Sequence, residues 1–84
     1  MNRGEWILLH LKEAHEELTR VIEEYEKSSD YDAGEYLVAM MHLYNHLNTA
    51  WNSKDASIEE VRTCSTGIFG KWRQFPSDID MSVD

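Results

Sequence analysis

The sequence has 84 residues, of which 42% are hydrophobic and 29% are charged. This length accommodates a single hydrophobic core, and the composition is that of a folded domain rather than of a disordered segment. Eight Lys and Arg residues stand against 16 Asp and Glu residues, and the formal net charge of −8 argues against binding to nucleic acids or anionic membranes, which need a basic surface.

The cysteine content and the apolar runs of the sequence bear on its location. Cys64 is the single cysteine, so an intramolecular disulfide cannot form and no Cys/His zinc motif exists. The longest apolar run near the N terminus covers residues 6–9, which is too short for a signal-peptide core or a membrane span. We therefore expect a cytoplasmic protein that does not bind membranes.

The first predicted helix covers residues 5–27. Apolar side chains recur along it at helical spacing and would form one stripe, with charged side chains on the opposite side. The stripe consists of Ile7, Leu11, Ala14, Leu18, Ile22 and Tyr25. Polar residues at 28–30 end this pattern, and we expect the stripe to face the core of the protein.

The second predicted helix covers residues 33–52. Asp32 with Glu35 three residues later is typical of a capping box, and Tyr31 with Tyr36 is typical of a hydrophobic staple. The apolar positions of this helix cover more than half of its circumference, which indicates packing against two neighbours. We therefore expect it to be the central helix.

The third predicted helix covers residues 58–74 and opens with a capping box formed by Ser57 and Glu60. Gly67 and Gly70 would each destabilise a continuous helix by about 1 kcal/mol relative to alanine. Both glycines fall on the polar side of the helix, so they do not interrupt its apolar stripe. A continuous helix is the prediction, and a break near the two glycines is the alternative.

Together these elements predict an all-α fold, an antiparallel three-helix bundle. Residues 1–75 would form a single domain, and residues 76–84 a flexible acidic tail. Dimerisation into a larger bundle is the main variant. We expect the third helix to pack on the edge of the second helix that carries Leu37, Met41 and Tyr44. The opposite edge of the hairpin would then stay open to solvent.

Four residues on that open edge are candidates for binding a metal ion. Helical spacing places His42 and His46 on one face, and antiparallel pairing sets His10 level with His46 and Glu17 level with His42. Three imidazoles and a carboxylate can coordinate zinc, nickel or non-haem iron. Because the rim of a hairpin is normally polar, the alternative is that these histidines bond only to neighbouring side chains.

A second set of residues is predicted to contact a partner protein. Some are apolar side chains on the outer faces or margins of the helices, and the others are asparagines spaced three and four residues apart along the second helix. The predicted surface comprises Trp6, Leu9, Val38, Met41, Asn45, Asn48 and Asn52. The alternatives are scattered exposed apolar residues, which are ordinary, and a merely tolerated polar face.

The leading functional hypothesis is a small acidic interaction or inhibitor-type module. Its partner would be another protein, for example a basic one steered by the negative charge, or a second copy in a homodimer. The alternative hypothesis is a metal-binding bundle, with or without enzymatic activity, that uses His10, Glu17, His42 and His46. The sequence has no nucleophile motif and no phosphate-binding glycine motif, so an enzyme is the less favoured class.

Overall fold

The computed structural model describes residues 2–28 and 30–82. Its elements, in chain order, are the helices α1 (Arg3–Lys27), α2 (Ala33–Asn52), α3 (Ile58–Thr63) and α4 (Thr66–Trp72). The described ranges contain helices and no strands, which confirms the all-α prediction. None of these helices combines the length and apolarity that a bilayer crossing requires. The predicted domain, turn and tail also include Met1, Ser29, Val83 and Asp84, which lie outside the described residues.

An antiparallel hairpin of α1 and α2 forms the body of the molecule. α1 begins two residues earlier than predicted, because the Asn2 side chain accepts a hydrogen bond from the backbone N–H of Glu5 and caps the helix.

α2 has the predicted bounds, with Asp32 as its N-cap. The Asp32 side chain accepts a hydrogen bond from the backbone N–H of Gly34 at 2.7 Å, in place of the predicted capping box with Glu35. The rings of Tyr31 and Tyr36 lie 6.0 Å apart, as expected for the predicted staple.

The prediction of a continuous third helix over residues 58–74 is wrong, because the chain breaks it into α3 and α4. The break lies at Cys64 and Ser65, just before the two glycines considered as an alternative. Cys64 adopts the left-handed conformation with a φ of 40°, which costs a non-glycine residue about 1–2 kcal/mol. Ser65 then caps α4 by accepting a hydrogen bond from the backbone N–H of Ile68.

The main apolar cluster lies at the open end of the hairpin, away from the α1–α2 turn. Ala56, Val61 and Trp72 are buried together there, and Trp6 packs against them from α1. The Trp6 ring lies 5.7 Å from the Trp72 ring and 6.5 Å from the Phe69 ring.

α4 has seven residues and is about 10 Å long, whereas α1 has 25 residues. A three-helix bundle therefore describes the fold only broadly.

α4 packs on the histidine edge of the hairpin, so the prediction that the third helix covers the Leu37, Met41 and Tyr44 edge is wrong. The ring of Phe69 in α4 lies 6.4 Å from the ring of His10, whereas Leu37 and Met41 are exposed. Tyr44 meets the ring of Phe75 at 5.2 Å, beyond the end of α4. The short connection after α2 crosses the end of α1, and the break between α3 and α4 turns the chain back along the polar edge. The helical periodicity of the sequence predicts neither the direction of this connection nor the direction of the chain after the break.

The segment after α4 runs along α2. The indole N–H of Trp51 donates a hydrogen bond to Asp78 at 2.8 Å, and the Lys54 ammonium lies 2.8 Å from the other carboxylate oxygen of Asp78. Lys54 first, and then Trp51, hold the pKa of Asp78 below its usual range. Within the predicted tail, Asp78 is therefore tied to the hairpin, whereas Met81 is exposed.

Candidate functional site

The four residues predicted to bind a metal lie in or beside the seam between α1 and α2. The Nδ1 atoms of His10 and His46 lie 3.0 Å apart. Further along the seam, an Oε1 atom of Glu17 lies 3.7 Å from Nδ1 of His42. The structure therefore pairs the residues that the antiparallel register set level with each other.

These residues form two separate pairs rather than one cluster. Within residues 2–28 and 30–82, no group of three or more histidine, cysteine, aspartate or glutamate side chains is placed to hold a metal ion. Glu17 forms its salt bridge with Arg20, one turn along α1. The geometry thus lends no support to zinc, nickel or iron binding by His10, Glu17, His42 and His46 together, and the metal site stays a prediction.

His10 is enclosed by aromatic rings and is 7% exposed. Its ring lies edge-on to Trp6 at 4.4 Å, with Phe69 of α4 on a further side. Burial, and then the neighbouring His46, lower the pKa of His10 from its usual 6.5. In a neutral pair one imidazole donates at Nδ1 and the other accepts, which suits this closed seam because neither ring then carries a charge.

Two of the asparagines predicted to contact a partner lie under the end of α4. The Asn48 amide donates to the carbonyl of Arg73 at 3.0 Å. The Asn52 amide donates to the carbonyls of Trp72 and Gln74 at 2.7 and 2.6 Å. Carbonyls at a helix C-terminus lack partners within the helix, so these side chains act as a cap for α4 from within the same chain.

The other predicted partner residues divide between the interior and the surface. Trp6 packs in the apolar cluster, and its indole N–H donates to a buried serine hydroxyl at 3.1 Å. Leu9, Val38 and Met41 are exposed, and Asn45 is half-buried. The seven predicted residues therefore do not form one free surface, because three of them are used in contacts within the chain.

One side of the hairpin, facing away from α4, is apolar and largely uncovered; we call it the apolar face. It consists of Ile7, Leu11, Leu18, Ile22 and Tyr25 of α1 and Tyr36, Met40, Leu47 and Trp51 of α2. Ile7 and Met40 are half-buried and the other seven are exposed. The α1 stripe expected to face the core thus faces solvent, apart from the buried Ala14 and the half-buried Ile7.

The apolar face continues along the length of the hairpin. At the open end, Leu11 and Leu47 line a common groove of 340 Å³. At the turn end, the rings of Tyr25 and Tyr36 meet with centroids 5.5 Å apart. Leu18 lies between these ends, because it follows Leu11 by seven residues, or two helical turns, on the same side of α1.

Charged groups gather on the opposite side of the hairpin. Glu35 is the only Asp, Glu, Lys or Arg among the 20 residues of α2. It borders a polar groove of 660 Å³ whose lining also includes Glu17, Arg20, Glu24 and Asp32. The hairpin therefore has an acidic polar side and an apolar face that the Lys54–Asp78 ion pair borders at Trp51.

The chain matches no family model, no curated protein and no solved structure.

The geometry leaves two candidate sites, the closed histidine seam and the apolar face. The seam contains side chains that pair with one another, whereas the apolar face stays exposed along most of the hairpin. The described chain reaches this face at Trp51, through Asp78 and Lys54, and at the turn end, through Tyr31. We therefore take the apolar face as the candidate functional site.

Proposed function

We propose that this protein is an interaction module that binds a protein partner on its apolar face. The observation that carries the proposal is the exposure of large apolar side chains along the whole hairpin, such as Leu18 and Ile22. Large continuous apolar patches on folded proteins mark interaction sites. Aromatic residues and methionine are enriched in such sites, and the apolar face contains both, for example Tyr25 and Met40.

Two classes of partner fit this proposal. A basic protein would be steered towards a chain of net charge −8, and an inhibitor-type role belongs to this class. A second copy of the chain would join two hairpins into a larger bundle, as four-helix bundles are built. We also infer a cytoplasmic location, because a lone cysteine such as Cys64 suits a reducing compartment.

Photo-crosslinking from two positions on α1 tests this function. Leu18 lies on the apolar face and is 43% exposed, and Leu9 is 38% exposed on the opposite side of the helix. A photoreactive amino acid replaces Leu18 in one variant and Leu9 in the other, and each variant is made and irradiated in cells. Position 18 should give one defined cross-linked protein, whose peptides are identified by mass spectrometry, and position 9 should not. No product from position 18, or the same products from both positions, would overturn the proposal.

A further inference from the structure

We propose that the occupant of the apolar face is a second copy of this chain. Two α1–α2 hairpins would pack face to face into a four-helix bundle, with α3 and α4 of each copy on the outside and the segment after α4 beside the Trp51 end of the interface. This inference rests on the proposed function, because it names the partner of the same surface. Three observations support it: the exposed area of the chain, the composition of α2 and the distribution of charge.

The chain exposes more surface than a monomer of its mass. Its accessible surface is 6318 Å², whereas a monomeric protein of 9.9 kDa exposes about 5,200 Å² by the scaling of area with mass. The excess of about 1,100 Å² is enough for the roughly 800 Å² that each partner buries in a standard interface. A symmetric dimer through one face would bring the chain close to the expected area.

α2 has the composition of a helix in the middle of an assembly. Among its residues Glu35 alone has a charged side chain, and Leu43, Asn48, Thr49 and Ala50 are its buried residues. A helix with so wide an apolar surface is normally buried by neighbours on several sides. α1, α4 and the segment after α4 each cover part of α2. A hairpin from a second copy would cover the rest of the apolar face.

The distribution of charge favours a second copy over a basic partner. Glu17, Glu24 and Glu35 border the polar groove, so a basic protein would be drawn to that side of the hairpin. By helical spacing Glu26 is the α1 glutamate nearest the apolar face. Two copies that meet through their apolar faces keep most acidic groups on the outside. About one helix diameter, roughly 10 Å, then separates those groups from the interface, which is similar to the Debye length in physiological salt.

The mass of the purified full chain in solution tests this inference. Sedimentation equilibrium over a wide range of concentrations should give twice the chain mass of 9.9 kDa. Leu18→Glu should weaken association by about a hundredfold or more, because each copy replaces a buried leucine with a charge. Leu9→Glu adds the same charge on the other side of α1 and should leave the dimer intact. Circular dichroism checks that both variants keep their helices.

Leu18→Ala provides a second variant in case Leu18→Glu fails to fold. It adds no charge and should weaken association by about tenfold or more, since both copies lose apolar contact. A wild-type mass of one chain at every concentration would overturn the inference, and so would a dimer that resists both substitutions at Leu18. A monomeric chain that still cross-links another protein from position 18 would overturn the second copy and leave the interaction module standing. The absence of any cross-link would remove both.

Discussion

The two sides of the α1–α2 hairpin reverse the usual relation between polarity and burial. The side under α4 contains His10, Asn48 and Asn52, whereas the uncovered side contains Leu18 and Ile22. Buried polar groups are tolerated when they find partners, and here His46 pairs with Nδ1 of His10 and the Arg73 carbonyl accepts from Asn48. The chain thus covers the side on which hydrogen bonds define one arrangement of α4. It exposes the side on which packing is apolar and has no such directional contacts.

Removing the aromatic anchor of the covered side should have the largest effect on stability. Trp72 is 6% exposed and holds α4 against Trp6. Trp72→Ala should lower the free energy of unfolding by about 3–5 kcal/mol, because it leaves a large cavity. Urea denaturation at a fixed protein concentration measures this change.

Phe75→Ala is the matched control. Phe75 is an aromatic residue just after the end of α4, and it is 68% exposed. It should cost less than about 1 kcal/mol. Equal losses in the Trp72 and Phe75 variants would show that α4 is not anchored on the hairpin as described.

Removing a cap of α4 should have an intermediate effect. Asn52→Ala deletes the donor to the carbonyls of Trp72 and Gln74 and should cost about 1–2 kcal/mol in unfolding free energy. Hydrogen exchange should also become faster in α4. Asn45, on the same helix, makes no side-chain hydrogen bond within the described ranges, so Asn45→Ala should cost less than about 0.5 kcal/mol. If Asn45→Ala costs as much as Asn52→Ala, the capping role of Asn52 is wrong.

Acidification should have the smallest effect, confined to the covered side. The pKa of His10 in the folded protein lies below its usual 6.5, so the unfolded chain binds the proton at a higher pH than the folded chain. The free energy of unfolding should therefore decrease as the pH falls through 6.5 towards the lower pKa of the folded state. The apolar face contains no histidine and should not contribute to this decrease.

Denaturation curves at several pH values and constant ionic strength measure the slope. His10→Gln should flatten it, because the variant lacks the group that titrates differently in the two states. The same measurement on His15→Gln, which replaces an exposed histidine of the same helix, is the control. A wild-type slope that persists in His10→Gln would contradict the assignment.

Local patterns in the sequence were sufficient for α1, for α2, for the start of α3 and for the register of the hairpin. Asp32 caps α2, and Ser57 and Glu60 form the capping box of α3 as predicted, because caps depend on residues within one turn of each other. The approach of His10 to His46 followed from the position of the turn, since two antiparallel helices of fixed rise have one register for a given turn.

The surfaces were not predictable in the same way. Asn48 and Asn52 gave a signal, as asparagine is a mediocre helix former, but their acceptors are backbone carbonyls more than 15 residues away in the chain. The break at Cys64 had no glycine to mark it, because a cysteine occupies the left-handed position. The apolar stripe of α1 was correctly located on the helix and wrongly assigned to the core.

The sequence by itself thus determined the all-α structure, the bounds of α2 and the pairing across the hairpin, because hydrogen bonds within a turn and the constant rise of a helix decide these features. Only the tertiary structure decided that α4 lies over His10 and that Leu18 stays exposed. That choice depends on the direction of the connection after α2 and of the break at Cys64, and both bring together residues that are far apart in the chain.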